Sequence, residues 1–192
     1  MTHNFPVTMS LTLSWDLFVI VFFAMVTAYG FIIGKDESVK MIIATYIATV
    51  AVQGIGNILA RLTGESQPVL IVLGLSIDTN TLAIIKLTVF VAVIIFLVVR
   101  SGIAIEYTKQ GNSLVNTFLT GVFGLATAGL LLSTLLTFLA GSALLDANLA
   151  QAAAVTPLFE QSKLMQLMIL NQDLWFALPA LLLVGVGFLS NE

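Results

Sequence analysis

The sequence predicts an all-α fold, a polytopic transmembrane helical bundle of four to five spans with short interfacial or re-entrant helices between them. Two observations carry this. The chain is 59% hydrophobic and only 9% charged, with mean hydropathy +1.08, whereas soluble domains carry about 25% charged residues. The apolar residues also fall in runs long enough to cross a bilayer. Residues 82–99 read LAIIKLTVFVAVIIFLVV, eighteen residues whose one charge is Lys86, about 27 Å as a helix against the ~30 Å of a hydrocarbon core. Such a segment meets no water, so its amides must close on each other as a helix. It is expected to be the span around which the rest is arranged, within one integral membrane domain covering residues 1–192.

The first span is expected over 15–34. Ser14 can cap it, Asp16 sits in its first turn where the helix dipole favours an anion, and Trp15 suits the membrane interface. The apolar run ends at Gly34-Lys35, and Asp36-Glu37-Ser38 is expected to cap a second span over 39–61. The short connection makes these two helices antiparallel neighbours. In the second helix Thr45, Thr49, Gln53, Asn57 and Arg61 recur every four residues. Each step turns about 400°, so they form an oblique polar stripe. The stripe either bonds neighbouring helices as polar glue or lines a path for water or solute. Gly54 and Gly56 beside it allow a close backbone approach or a break in the helix.

Residues 68–77 are apolar but too short to cross, and are expected to be interfacial or partly re-entrant. Asp78 to Thr81 then caps a third span over 81–100. Lys86, inside its second turn, can snorkel to the interface, pair with Asp16 at the same membrane level, or take part in an ion path. The fourth span is expected over 114–140. Thr117, Gly121, Gly124 and Ala128 follow at spacings of four, three and four, one helical face of small residues, expected to be the packing seam of the bundle or a face for self-association. Residues 142–170 are irregular and amphipathic, with Leu158, Leu164, Leu167 and Met168 suited to a helix lying on the membrane surface. Residues 174–189 form a final apolar run interrupted by Pro179, either a fifth span or an interfacial or re-entrant hairpin.

Several functions are disfavoured. Cysteine is absent, so thiol chemistry and disulfides are excluded. The single histidine, His3, is no basis for a metal site, which needs three or four converging donors. Net charge is −3 with no basic run, which argues against nucleic acid as a partner. Gly34-Lys35 is followed by Asp36, where a phosphate loop requires Ser or Thr; Gly54-Ile55-Gly56 lacks the third glycine of a dinucleotide loop; Gly74-Leu75-Ser76-Ile77-Asp78 lacks the closing glycine of a nucleophile elbow. No catalytic residues, cofactor or metal are therefore expected, and the protein is not read as an enzyme. Met1 to Leu13 holds no Lys or Arg, so the first run is expected to be retained and not cleaved as a signal. Lys35, Lys40, Arg100 and Lys109 fall on one side of the membrane against Arg61, Lys86 and Lys163 on the other. That bias places the N-terminus outside the cytoplasm.

Four stretches resemble the colicin V production protein (CvpA) family of bacterial inner-membrane proteins. The Trp15-Asp16 pair opens the first span, and Gly30 to Gly34-Lys35 leads directly into the second. Leu119-Thr120-Gly121-Val122-Phe123-Gly124 is similar to the glycine-rich start of that family's fourth helix, and Ser162-Lys163-Leu164 resembles the Ser-x-Leu after it. The likeness covers roughly residues 14–165. Thr127-Ala128 stands where the family often has Arg-Gly, and the run at 174–189 lies beyond the family's usual extent. The resemblance implies a multi-pass protein of the bacterial inner membrane, non-enzymatic and linked to secretion or envelope processes. Its expected role is assembly or interaction, with the lipid bilayer, other membrane proteins or further copies of itself as partners. The alternative is a transporter or channel subunit whose path is lined by Thr49, Gln53, Asn57 and Lys86.

Overall fold

The computed structural model describes residues 15–63, 79–100, 113–139 and 162–189. Its elements are all helices: α1 (Trp15–Ile33), α2 (Lys35–Thr63), α3 (Thr79–Arg100), α4 (Ser113–Leu139), α5 (Lys163–Leu170) and α6 (Gln172–Leu189). Four are long and apolar enough to cross a membrane: Trp15–Ile33, Lys35–Ile58, Ala83–Arg100 and Leu114–Leu139. α5 and α6 meet at a 62° bend, as a broken span or a re-entrant pair, so the described residues hold four stretches long and apolar enough to cross, or five if the bent pair is one span. The expected helix at 68–77, the Ser14 cap and most of 142–170 lie outside the described residues.

The organising helix is α4, which packs against each of the other five helices. The expectation that 82–99 would hold that place is corrected: α3 lies at the edge, against α2 and α4. The neighbours of α4 fix the topology. Val19 packs with Leu132 and Leu136, whereas Gly30 meets Gly124 and Phe31 meets Gly121, so α1 runs antiparallel to α4. Val39 and Ile42 pack with Phe123 and Leu130, while Ala48 and Val52 join Phe138, so α2 runs parallel to it. Phe90 of α3 meets Phe138 edge-on, with ring centroids 5.4 Å apart. α6 runs antiparallel to α4, from Gln172, whose Nε2 donates to Thr137 Oγ1 at 2.9 Å, to Val186 beside Phe123.

The α1–α2 junction is tighter than the sequence suggests. α2 begins at Lys35, not near Val39, and Gly34 alone separates the helices. Gly34 takes φ +86°, a conformation in which a Cβ would be strained, so one residue turns the chain. Ser38 lies inside α2 and returns its Oγ to Gly34 O at 2.9 Å. The expected capping by Asp36 to Ser38 is thereby replaced by a glycine turn.

α5 is also revised. Met165, Met168 and Ile169 are buried against α1 and α4, with Leu164 packed beside them, whereas Leu167 faces outward. A surface helix with Leu164, Leu167 and Met168 on one apolar side does not describe it. Its N-terminus is tied to the start of α1. Ser162 Oγ donates to Asp16 Oδ1 at 2.6 Å, Leu164 N–H donates to the same oxygen at 3.1 Å, and Met165 N–H donates to Ser162 Oγ at 3.1 Å. Amides that would otherwise be left open at a helix start are thus satisfied by one serine and a carboxylate 146 residues away in sequence.

Candidate groove between α2 and α6

α2 and α6 touch at Tyr46 and Phe176, whose ring centroids lie 6.5 Å apart. The Tyr46 hydroxyl donates to Phe176 O. This contact falls beside Pro179, which has no N–H to offer the preceding turn. The carbonyl left without that donor belongs to Trp175, four residues earlier, and Tyr46 bonds the next carbonyl along, Phe176 O.

Beyond Tyr46 an open groove of about 770 Å³ lies between the two helices. α2 lines it with Tyr46, Thr49, Val50, Gln53 and Gly54; α6 contributes Asp173, Phe176 and Ala177. Because α2 runs parallel to α4 and α6 antiparallel, Asp173 lies toward Gln53, beyond the Tyr46–Phe176 contact. The surface that lines the groove is almost wholly apolar, and Thr49 Oγ1 and Gln53 Oε1 lie beneath it, shielded by their neighbours.

Two polar groups beneath it are unusual. Thr45, Thr88, Thr120, Thr127, Thr134 and Thr137 each return the hydroxyl to the carbonyl four residues earlier, at 2.7–2.9 Å. Thr49 does not. It is 95% buried, from an exposure of 5%, and its Oγ1 has no hydrogen-bond partner among the described residues. Gln53 Oε1, one turn further on, is likewise buried without a partner. Unmet polar atoms in an apolar medium are costly, and sites for a ligand are one setting in which they persist.

The other residues marked out by sequence fall elsewhere. Gly54 has open space around it, and Asn57 is exposed. Gly56 gives the close approach on α2, receiving the Lys86 stem: a Cβ there would stand 2.7 Å from Lys86 Cε. Lys86 thus lies at the α2–α3 boundary, and its pairing with Asp16 is not formed, since Asp16 holds Ser162 and Leu164 instead. On α4, a Cβ at Gly124 would stand 3.2 Å from Thr27 O, Gly121 accommodates the Phe31 ring, and Ala128 is fully buried. Thr117 is exposed, so the close contacts begin at Gly121. Sequence spacing misses Gly30, where a Cβ would stand 2.9 Å from Gly124 Cα, and Gly129, on which the Trp175 ring lies. It also misses Asp173 and Tyr46, whose importance depends on a contact across 130 residues.

The class these features define is an all-α helical bundle in which four of the described helices, α4 at their centre, are long and apolar enough to span a membrane. In comparisons with family models, characterised proteins and solved structures, nothing matches this chain.

Proposed function

We propose that this chain is a non-enzymatic integral membrane protein that acts by interaction and assembly within the bilayer. Its resemblance to the CvpA family supports a bacterial inner-membrane setting and a link to secretion or envelope processes. The observation that carries the interaction role is the α2–α6 groove with its two unpartnered polar atoms, Thr49 Oγ1 and Gln53 Oε1. A mostly apolar recess of this size suits recognition of an apolar surface. Its lining residues offer no nucleophile–base pair, and the Tyr46 hydroxyl is already bonded to α6.

A photoreactive side chain at Val50, on the groove and largely exposed, tests this against one at Ile95 on the outer face of α3. In native membranes Val50 is expected to give an adduct of discrete mass that disappears when Gly54→Phe fills the groove. Ile95 is expected to give only diffuse lipid labelling. Equal labelling from both positions overturns the proposal. A transport role is the alternative, favoured by Thr49 and Gln53 on one groove, although Lys86 lies apart from them beside Gly56. Solute flux in reconstituted vesicles that is lost in Gln53→Leu would select transport.

A further inference from the structure

We infer that Lys86, seated on the seam between α2 and α3, holds the phosphodiester headgroup of an anionic bilayer lipid. The site is separate from the α2–α6 groove and stands or falls independently of how that groove is used.

Depth is the first observation. Lys86 is the fourth residue of Ala83–Arg100, a stretch long and apolar enough to cross a membrane. A long side chain on a helix leans toward the helix N-terminus, so the ammonium is carried back toward the membrane edge. That is the level at which hydrocarbon gives way to lipid headgroups.

The second observation is how the stem is held. It lies on Gly56 of α2, where a Cβ would stand 2.7 Å from Lys86 Cε and 3.5 Å from Nζ. Lys86 is accordingly half-buried. Packing on α2 limits the sweep of the ammonium, and a group already placed loses less freedom when it takes a ligand.

Charge is the third. Lys86 Nζ has no hydrogen bond or ion pair among the described residues. Asp16, its expected partner, is held by Ser162 and Leu164, and Asp173 lines the groove with α6. A cation at the edge of a span calls for an anion, and the bilayer supplies one as lipid phosphate. The ammonium carries three N–H donors for its oxygens. A recess for the acyl chain begins one residue further along α3. Leu87, Val91 and Ala92 line it, with a volume of about 410 Å³.

The test uses the full chain in maltoside micelles and counts bound lipid by native mass spectrometry. The probes are phosphatidylglycerol, phosphatidylcholine and inorganic phosphate. Phosphatidylglycerol is net anionic, whereas phosphatidylcholine carries a cation beside the same phosphate. Phosphatidylglycerol is expected to bind about fivefold tighter, the worth of one lysine near an anionic surface. Lys86→Gln should erase that preference and Lys86→Arg should keep it, both at an unchanged melting temperature. Gly56→Val should lower it by displacing the ammonium. Inorganic phosphate should not displace the lipid, because it has no chain to lie in the recess. Should Lys86→Gln not fold, high salt on the unmodified protein should erase the preference by screening. Equal binding of the two lipids, a preference that survives Lys86→Gln, or one indifferent to salt overturns the inference. Displacement by inorganic phosphate assigns Lys86 to a soluble anion and overturns the lipid as occupant.

Discussion

α3 and α4 are both apolar helices of membrane-spanning length, but 72% of the α4 span is buried in the protein against 6% of the α3 span. Hydropathy ranks them the other way, 2.6 for α3 and 2.0 for α4. In water the more apolar segment would take the centre, because burial removes it from solvent. In a bilayer lipid tails solvate leucine and isoleucine as well as protein does, so that preference vanishes. What a protein neighbour offers beyond lipid is close packing and hydrogen bonding. α4 is built for both. Gly121, Gly124, Ala128 and Gly129 admit neighbouring backbones and rings, and Thr137 accepts from Gln172. α3 presents Ile84, Val91, Ile95, Phe96 and Val99 outward and holds the bundle through Phe90 and the Lys86 stem.

Substitutions can break or sharpen this contrast. Gly124→Leu should have the largest effect. Its side chain would drive into Thr27 O and the Gly30 backbone, which cannot move aside as a flexible side chain can. A loss of about 3 kcal/mol or more is expected, from the top of the overpacking range, seen as loss of the monodisperse peak in detergent. An unchanged melting temperature would remove α4 from its central role.

Ser162→Ala comes next. It deletes the cap on Met165 N–H and the bond to Asp16, and about 1 kcal/mol of destabilisation is expected. Because α5 is also held by Met165 and Met168, proteolysis near the α5 start should rise before global unfolding does.

Tyr46→Phe removes the hydroxyl between α2 and Phe176 O without changing the ring. About 0.6 kcal/mol is expected, the typical net value of an interhelical hydrogen bond in a bilayer. Equilibrium unfolding in mixed micelles would measure it. A larger effect would mean that the α2–α6 contact depends on this hydroxyl.

Phe96→Leu on the outer face of α3 should have the smallest effect, within about 0.5 kcal/mol. A cost equal to that of Gly124→Leu would dissolve the contrast between the two helices and indicate a partner packed on α3.

Helix content and the approximate bounds of the long spans were legible in the sequence, because an apolar run of bilayer length has only one way to satisfy its amides. The small-residue spacing of Gly121, Gly124 and Ala128 was legible as one face, since helical period alone sets it. Part of the groove was visible too: Thr49 and Gln53 stand out as polar residues one turn apart. That Asn57 and Lys86 do not share it, and that Asp173 does, follows from packing.

By itself, then, the sequence determined the class of the molecule and the length of its main helices. Which helix stands at the centre, which residue answers Asp16, and where α6 leaves α2 uncovered were decided only by tertiary structure. The reason is physical. Hydropathy separates membrane from water but does not distinguish lipid from protein. Choosing among apolar neighbours is left to shape and to hydrogen bonds between residues far apart in the chain, such as Asp16 with Ser162 and Tyr46 with Phe176.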